Sequence, residues 1–479
     1  MKPLLMKSPA RRKGAPRRTT GSRILATSAI AMSVAAFAAA PTASATAKNA
    51  SSVTTITWWA SPISTSGPDL RKVLIADFEK AYPNIKVNLQ TAPTDTDTNR
   101  ADLVTTISGG ANTPDVFMGD VIWPGQFGAH SLALSLTKVM PKSFFSRFAS
   151  GLVAGATYNG QVYGAPFFQD QGFLYYRTDL LKAAGMAVPT TWQQLQTDAV
   201  TLVKANKVKY GFVWEGDAYE GGTCDFMEYY ADTGGQVLNA SDSASVLNVA
   251  DVTKVLTFMR GLVTSGASPQ AVDTFQEPEA AAAFQDGDAA FIRNWDYQYA
   301  AAQAKGSDVI GKVGVAPLPT FTGGEAYPGY SNIGGWNLYI NPHSKSVSAD
   351  TAFINYMTGT AAETVMATQF SEIPTNAAVR ANPAVARLNP PFAVLAKTRL
   401  VPRPAQNPNY PKISQAIYTN MNSALAGSTS PSKAASDMAS QLSAALGSSG
   451  LPVLHVTLAY FKGTHLGPLS ARSAYLSFT

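Results

Sequence analysis

Of 479 residues, one is cysteine, Cys224, and four are histidine. A lone cysteine excludes an internal disulfide and a thiolate metal cluster, and with no histidine nearby it reads most simply as a small buried residue. His130, His343, His455 and His465 stand far apart with no ligand at short spacing, so no metal site is expected. Also missing are H-E-x-x-H, G-x-S-x-G, a P-loop, and a G-x-G-x-x-G between strand and helix. The commonest metalloprotease, hydrolase and nucleotide-binding readings lose their support, and no cofactor is expected.

No acid occurs before Asp69, while eight basic residues, from Lys2 to Arg23, crowd the first 23 positions. Without them the formal charge of +6 becomes slightly negative, so nucleic acid is not an expected partner. The basic start, the weakly apolar run Ile24 to Ala40 and the small residues PTASATA have the layout of a secretory leader. Cleavage is expected after Ala47, with Ala43 to Ala45 as a competing site, and Arg17-Arg18 leaves a twin-arginine route open. The run is too short and alanine-rich for a membrane span, and no cysteine follows it to carry a lipid anchor. The reading is an exported protein, periplasmic or at the outer cell surface.

The whole chain is 46% hydrophobic and only 14% charged, enough for a large interior and, at this length, for two lobes. Val53 to Trp59 reads as a strand. Leu70, Val73, Leu74, Phe78, Ala81 and Tyr82 then recur at helical spacing, with Ser66 and Pro68 suited to the helix start. Ile85 to Leu89 and PDVFMGD give two further strands, so the order is β-α-β-α-β and a mostly parallel sheet follows. A second α/β set starts near NGQVYGAPF. It includes the strand GFLYYR, VPTTWQQL with capping-box spacing at Thr191 and Gln194, and the strand YGFVW. Helical periodicity returns between Ser348 and Met366 and from Ile413 to Leu446, whereas VPRPAQNPNYP is loop. Residues 451–479 hold two histidines and no acid and form an atypical tail.

Carboxylates and aromatics remain as candidate chemistry. Asp120, Asp170, Glu215, Glu220 and Glu228 could supply the carboxylate pair of a glycosidase, or be solvated surface charge. Trp123, Trp295 and Trp336 each end a predicted strand, where loops of an α/β sheet line a crevice. A sugar ring presents apolar C–H faces and a rim of hydroxyls, so indoles flanked by carboxylates and amides suit it. In YSNIGGWNLYI, Gly334 and Gly335 interrupt a strand just before Trp336. Either a ligand reaches their backbone, or a bulge re-aims a core tryptophan.

In order along the chain, ITWWA, FEKAYPNIKV, PDVFMGD, NGQVYGAPF with LYYRTDLLKAAG, VPTTWQQL, AAFQDGDAAFIRNW and GVAPLP with GGWNLYI resemble the extracellular solute-binding proteins of ABC sugar importers. The similarity is to the maltose- and trehalose-binding group, from about Thr54 to Ala445. It implies an α/β, two-lobed periplasmic-binding-protein-like fold, each lobe a mostly parallel sheet flanked by helices. By resemblance the first lobe comprises residues 48–166 and 316–378 and the second 167–315 and 379–450, with crossings near Pro166, Val315 and Ala378. It further implies a non-catalytic monomer that captures a disaccharide or short oligosaccharide and delivers it to ABC transporter permease subunits. A secreted hydrolase and a non-sugar solute such as glycerol phosphate are the alternatives. By motif match, Asp120 and Asp170 are the carboxylates that take sugar hydroxyls, Trp295 and Trp336 the platforms, and Arg403 a fork for a hydroxyl pair. The loop ASPISTSG departs from the pattern of some disaccharide binders, having no acid before Asp69.

Overall fold

A computed structural model describes residues 52–63, 67–324 and 326–447. The leader, its cleavage sites and the tail from 451 lie outside the described residues. In chain order the strands are β1 (Thr54–Ala60), β2 (Ile85–Thr91), β3 (Val116–Asp120), β4 (Thr157–Tyr158), β5 (Gln161–Val162), β6 (Ala165–Gln171) and β7 (Phe173–Arg177). They continue with β8 (Tyr210–Val213), β9 (Ala289–Asn294), β10 (Val313–Ala316), β11 (Tyr330–Ile340), β12 (Ile373–Pro374) and β13 (Arg399–Val401).

Among the described residues β12-β6-β11-β3-β1-β2 form one sheet, with β13 also on β11, and β10-β7-β9-β8 form a second. β1 runs parallel to β2 and β3, as the predicted β-α-β-α-β order requires. The expectation of mostly parallel sheets is corrected, because β11 lies antiparallel to β3 and β6, and β7 antiparallel to β9 and β10. Helical crossovers keep strands parallel, whereas a strand that comes back from the other half of the molecule enters its sheet in the return direction. Both sheets are therefore mixed.

Two large cores accompany the sheets. One gathers Ile56, Trp58, Phe78, Val116, Phe167 and Phe353. The other gathers Leu174, Trp192, Phe212, Phe226, Ile417 and Leu442. β6 belongs to the first sheet along its whole length, from Ala165 to Gln171. Leu318 packs into the second core, past the boundary expected near Val315.

Local signals place the elements that carry the site. The helix Leu70–Ala81 is capped by Asp69, whose side chain accepts from the Arg71 amide at 3.1 Å, three residues later than the expected start at Ser66. Thr191 caps the helix Trp192–Lys204 by accepting from the Gln194 amide, and Gln194 in turn accepts from the amide of Thr190, one residue before the cap. Among the described residues no helix is long and apolar enough to cross a membrane.

The segment after β12 is pinned by a buried acid. Thr375 Oγ1 lies 2.9 Å from the Pro166 carbonyl and 2.7 Å from Glu363 Oε1, while the Asn376 amide donates to Glu363 Oε2 at 2.7 Å. The single Thr375 hydroxyl proton is shared between the Pro166 carbonyl and the Glu363 carboxyl. Burial pushes Glu363 up to about 8, against the pull of its Thr375 and Asn376 bonds. Native Glu363 thus holds a proton that the unfolded chain releases near 4.5, and its contribution is full below 4.5 and lost as pH rises through 8. In urea titrations at several pH values, Glu363→Gln should flatten the decline of stability between about pH 4.5 and 8; parallel profiles for variant and wild type would contradict this.

Candidate binding cleft

Strand register brings the polar groups together. Trp336 on β11 pairs with Asp120 at the end of β3, and Gly334 pairs with Asp170 on β6. Trp295 follows β9, Glu220 opens the helix Glu220–Ala231 and Arg403 sits in the loop after β13. Asp120, Asp170, Trp295, Gly334, Gly335, Trp336 and Arg403 all line one cavity of about 120 Å³. A second cavity of about 710 Å³ adjoins it, sharing Phe168, Gly334 and Arg403.

Arg403 dominates the electrostatics. Its Nη2 donates to Asp120 Oδ1 at 2.9 Å, and its Nη1 to Asp120 Oδ2 at 3.2 Å and Glu220 Oε1 at 2.8 Å. Glu220 also accepts from Tyr410 and Ser414, each at 2.5 Å. Burial pushes Glu220 up to about 7, and Arg403 pulls the other way. Asp170 is likewise pushed up to about 7, first by burial and then by the charge of Asp120. Among the polar atoms buried here without a protein partner are Arg403 Nε and Asp170 Oδ1.

Beside the cavity a second arginine holds the acids considered for catalysis. Arg293 pairs with Glu215 at 2.6 Å, Asp225 at 2.9 Å and Glu228 at 2.6 Å, and its guanidinium lies 4.1 Å over the ring of Trp295. Glu215 and Glu228 therefore fix Arg293 beneath Trp295. Tyr219 bridges Glu215 and Glu277, at 2.6 Å from each.

One sequence-predicted residue is not brought to the cavity. Trp123 is 1% exposed and stacks on Phe127 at 5.1 Å, within a third cluster containing Phe117 and Tyr339. It follows a strand end, as Trp295 does, but the turn after Asp120 directs it into the sheet's packing layer. Arg403 also differs from expectation, since both its Nη atoms are occupied by carboxylates.

The glycines answer to the protein's own backbone. Gly335 has φ +124°, and a Cβ there would meet the Phe168 carbonyl at 2.5 Å and Gln169 Cα at 2.8 Å. A Cβ on Gly334 would meet the Trp295 ring at 2.9 Å and Asp170 Cβ at 3.0 Å. The register against β6 then shifts between Trp336 and Asn337, so a bulge follows the glycine pair. It is β6 and Trp295 that approach the glycines closely.

Sequence reasoning missed Tyr219, Glu277, Tyr297 and Glu372, which also line the cavity, and saw Glu220 only as a possible catalytic acid. Tyr297 stands two residues after Trp295 and was within reach of the same motif. Glu372 had no signal, because it arrives from a chain segment two hundred residues beyond Asp170. Ser61 and Ile63 of the acid-free loop ASPISTSG line the cavity as well.

Two substitutions test these roles. Arg403→Met should lower folding stability by about 3–5 kcal/mol in urea unfolding, because it strands Asp120 and Glu220 in a buried site; near-neutral stability would show that the carboxylates simply protonate. Gly335→Ala should cost stability by at least about 1–3 kcal/mol from its backbone conformation alone, whereas a variant of native stability would contradict the close-approach argument.

A family profile described as bacterial extracellular solute-binding protein matches residues 61–364. A probable ABC transporter-binding protein of Deinococcus radiodurans is 33% identical over 397 residues, covering 81% of this chain and 93% of the relative. A lactose-binding protein of Rhizobium radiobacter is 28% identical over 243 residues, 49% of this chain and 56% of the relative. Among solved structures, maltose-bound T. maritima MalE3 superposes with a TM-score of 0.75 at 32% identity, over 81% of this chain and 99% of that one. A solute-binding protein from Thermotoga lettingae bound with α-D-tagatose gives a TM-score of 0.74 at 23% identity, covering 82% of this chain and 100% of that one, which speaks for the fold. The sheets, the cleft and these matches agree: this chain belongs to the bacterial extracellular solute-binding proteins of ABC transporters.

Proposed function

We propose that this protein captures a disaccharide or short oligosaccharide in the cleft and delivers it to ABC permease subunits after export, acting as a monomeric receptor without catalysis. What carries this reading is the composition of one cavity: indoles Trp295 and Trp336 beside an unpaired donor, Arg403 Nε, and an unpaired acceptor, Asp170 Oδ1. A sugar hydroxyl both donates and accepts, so it can satisfy each of these atoms while a ring face lies on an indole. The likeness to a maltose-bound protein at 32% identity supports the same class.

The cavity of about 120 Å³ is small beside the ~300–1,000 Å³ typical of ligand sites. A disaccharide therefore enters only if the lobes part, with the Arg403 bridge between Asp120 and Glu220 opening first. The two-lobe division belongs to this proposal, with the first crossing placed after Gln171. The small volume favours a second reading, in which the solute is one sugar ring or a linear polyol. A phosphate-bearing solute suits the cavity poorly, because Asp120, Asp170, Glu220, Glu277 and Glu372 face a single lining arginine.

Isothermal titration against maltose, trehalose, lactose, glucose, ribitol and mannitol separates these readings. Binding of a disaccharide is expected, weakened by on the order of 1–4 kcal/mol in Trp336→Ala with the circular dichroism spectrum unchanged. Response to polyols alone would select the second reading, and silence across the panel would overturn both.

A further inference from the structure

Glu372 is 1% exposed, and neither of its carboxylate oxygens has a hydrogen-bond partner. Register explains where it points: Ile373 on β12 pairs with Gln169 on β6 in antiparallel fashion, which sets Glu372 across from Asp170. Asp296, 0% exposed, completes the group. Its Oδ1 accepts from the Gln171 amide at 3.2 Å and its Oδ2 from the Ile373 amide at 2.9 Å, which fixes the carboxylate between the two strands. One oxygen from each of Asp170, Asp296 and Glu372 lies within 4.8 Å of the others.

Among the described residues no lysine or arginine forms an ion pair with any of the three. Arg380, whose charge is felt by Asp296, directs its Nη1 to Gln169 Oε1 at 2.8 Å. Asp170 and Asp296 lie within hydrogen-bond reach of each other, and three converging buried carboxylates repel one another unless a proton or a cation sits among them. Asp170 Oδ1 and both Glu372 oxygens have lone pairs that no protein group uses, and each Asp296 oxygen keeps one beyond its amide bond.

We propose that Asp170, Asp296 and Glu372 form a calcium site at the base of the cleft. The donors are all oxygen, which selects hard cations over zinc or copper. Calcium–oxygen bonds of about 2.3–2.6 Å let one ion reach oxygens up to roughly 4.6–5.2 Å apart, so three oxygens within 4.8 Å of one another can share it. Magnesium demands near-ideal octahedral geometry, whereas calcium takes six to eight oxygens in a flexible arrangement, which carboxylates on three separate chain segments beside an open cavity suit better. The site rests on no assumption about the solute, and the ion would fix Asp170 and Glu372, the two of the three carboxylates that also face the cavity.

The test uses the full chain stripped with EDTA and dialysed free of sugar. Titration with CaCl2 should show one ion per chain, and thermal unfolding with Ca2+ in large excess should rise by a few degrees through mass action. Glu372→Gln and Asp296→Asn should each weaken calcium binding at least tenfold and abolish the thermal shift, with unchanged circular dichroism. The proposal is overturned if wild type gives neither heat nor shift, and a higher unfolding temperature of Glu372→Gln in EDTA would then show that the carboxyls share protons instead. Equal calcium binding by wild type and both variants, or a response to MgCl2 or ZnCl2 in place of CaCl2, also overturns it. Because no solute is present, failure here leaves the receptor reading standing, and failure of the sugar panel leaves the calcium site standing.

Discussion

Arg403 is buried between two carboxylates that belong to different cores of the molecule, Asp120 from the first sheet and Glu220 from a helix of the second. Placing a guanidinium away from water is costly, and only paired carboxylates with good geometry offset it. The attraction of opposite charges at about 4 Å is roughly 4 kcal/mol at an effective dielectric near 20, so neither acid can leave without a replacement. The bridge therefore decides how near the two halves come, and every other group in the cleft takes its place around it. A solute that parts the halves must itself satisfy what the bridge satisfied.

A second constraint lies in the backbone of β11. It runs between β3 and β6, so its register sets Trp336 against Asp120 and Gly334 against Asp170. The glycine pair lets β6 and the Trp295 ring come closer than any side chain would allow, and the bulge just beyond restores the pairing toward Leu338. One short stretch thus aligns an aromatic face with acids from two other strands. Beneath it Arg293 and its three carboxylates hold Trp295 from below.

Much of this was legible in the one-dimensional pattern. The alternation of strand and helix, the motif ends at Asp120 and Asp170, and the indoles at 295 and 336 all lead to the cleft, because strand ends in α/β sheets open onto it. Trp123 shows where that reasoning stops. It has the same local context as Trp295, yet a strand end says only that a side chain is near the crevice, and the following turn decides whether it faces solute or core. The parallel bias failed for a related reason: strand order follows from hydrophobic runs, but direction follows from which half of the molecule the chain has just left.

By itself the sequence determined the α/β periodicity, the family likeness and the place of Asp120, Asp170, Trp295 and Trp336 at strand ends, since these rest on local patterning and on motifs that lie within a few positions of one another. Only the tertiary structure decided that Arg403 is a bridge rather than a free fork, that Gly335 yields to β6, and that Glu372 stands beside Asp170 and Asp296. Such pairings join residues about 75 to 280 positions apart. They are set by sheet register and burial, which no local window of sequence contains.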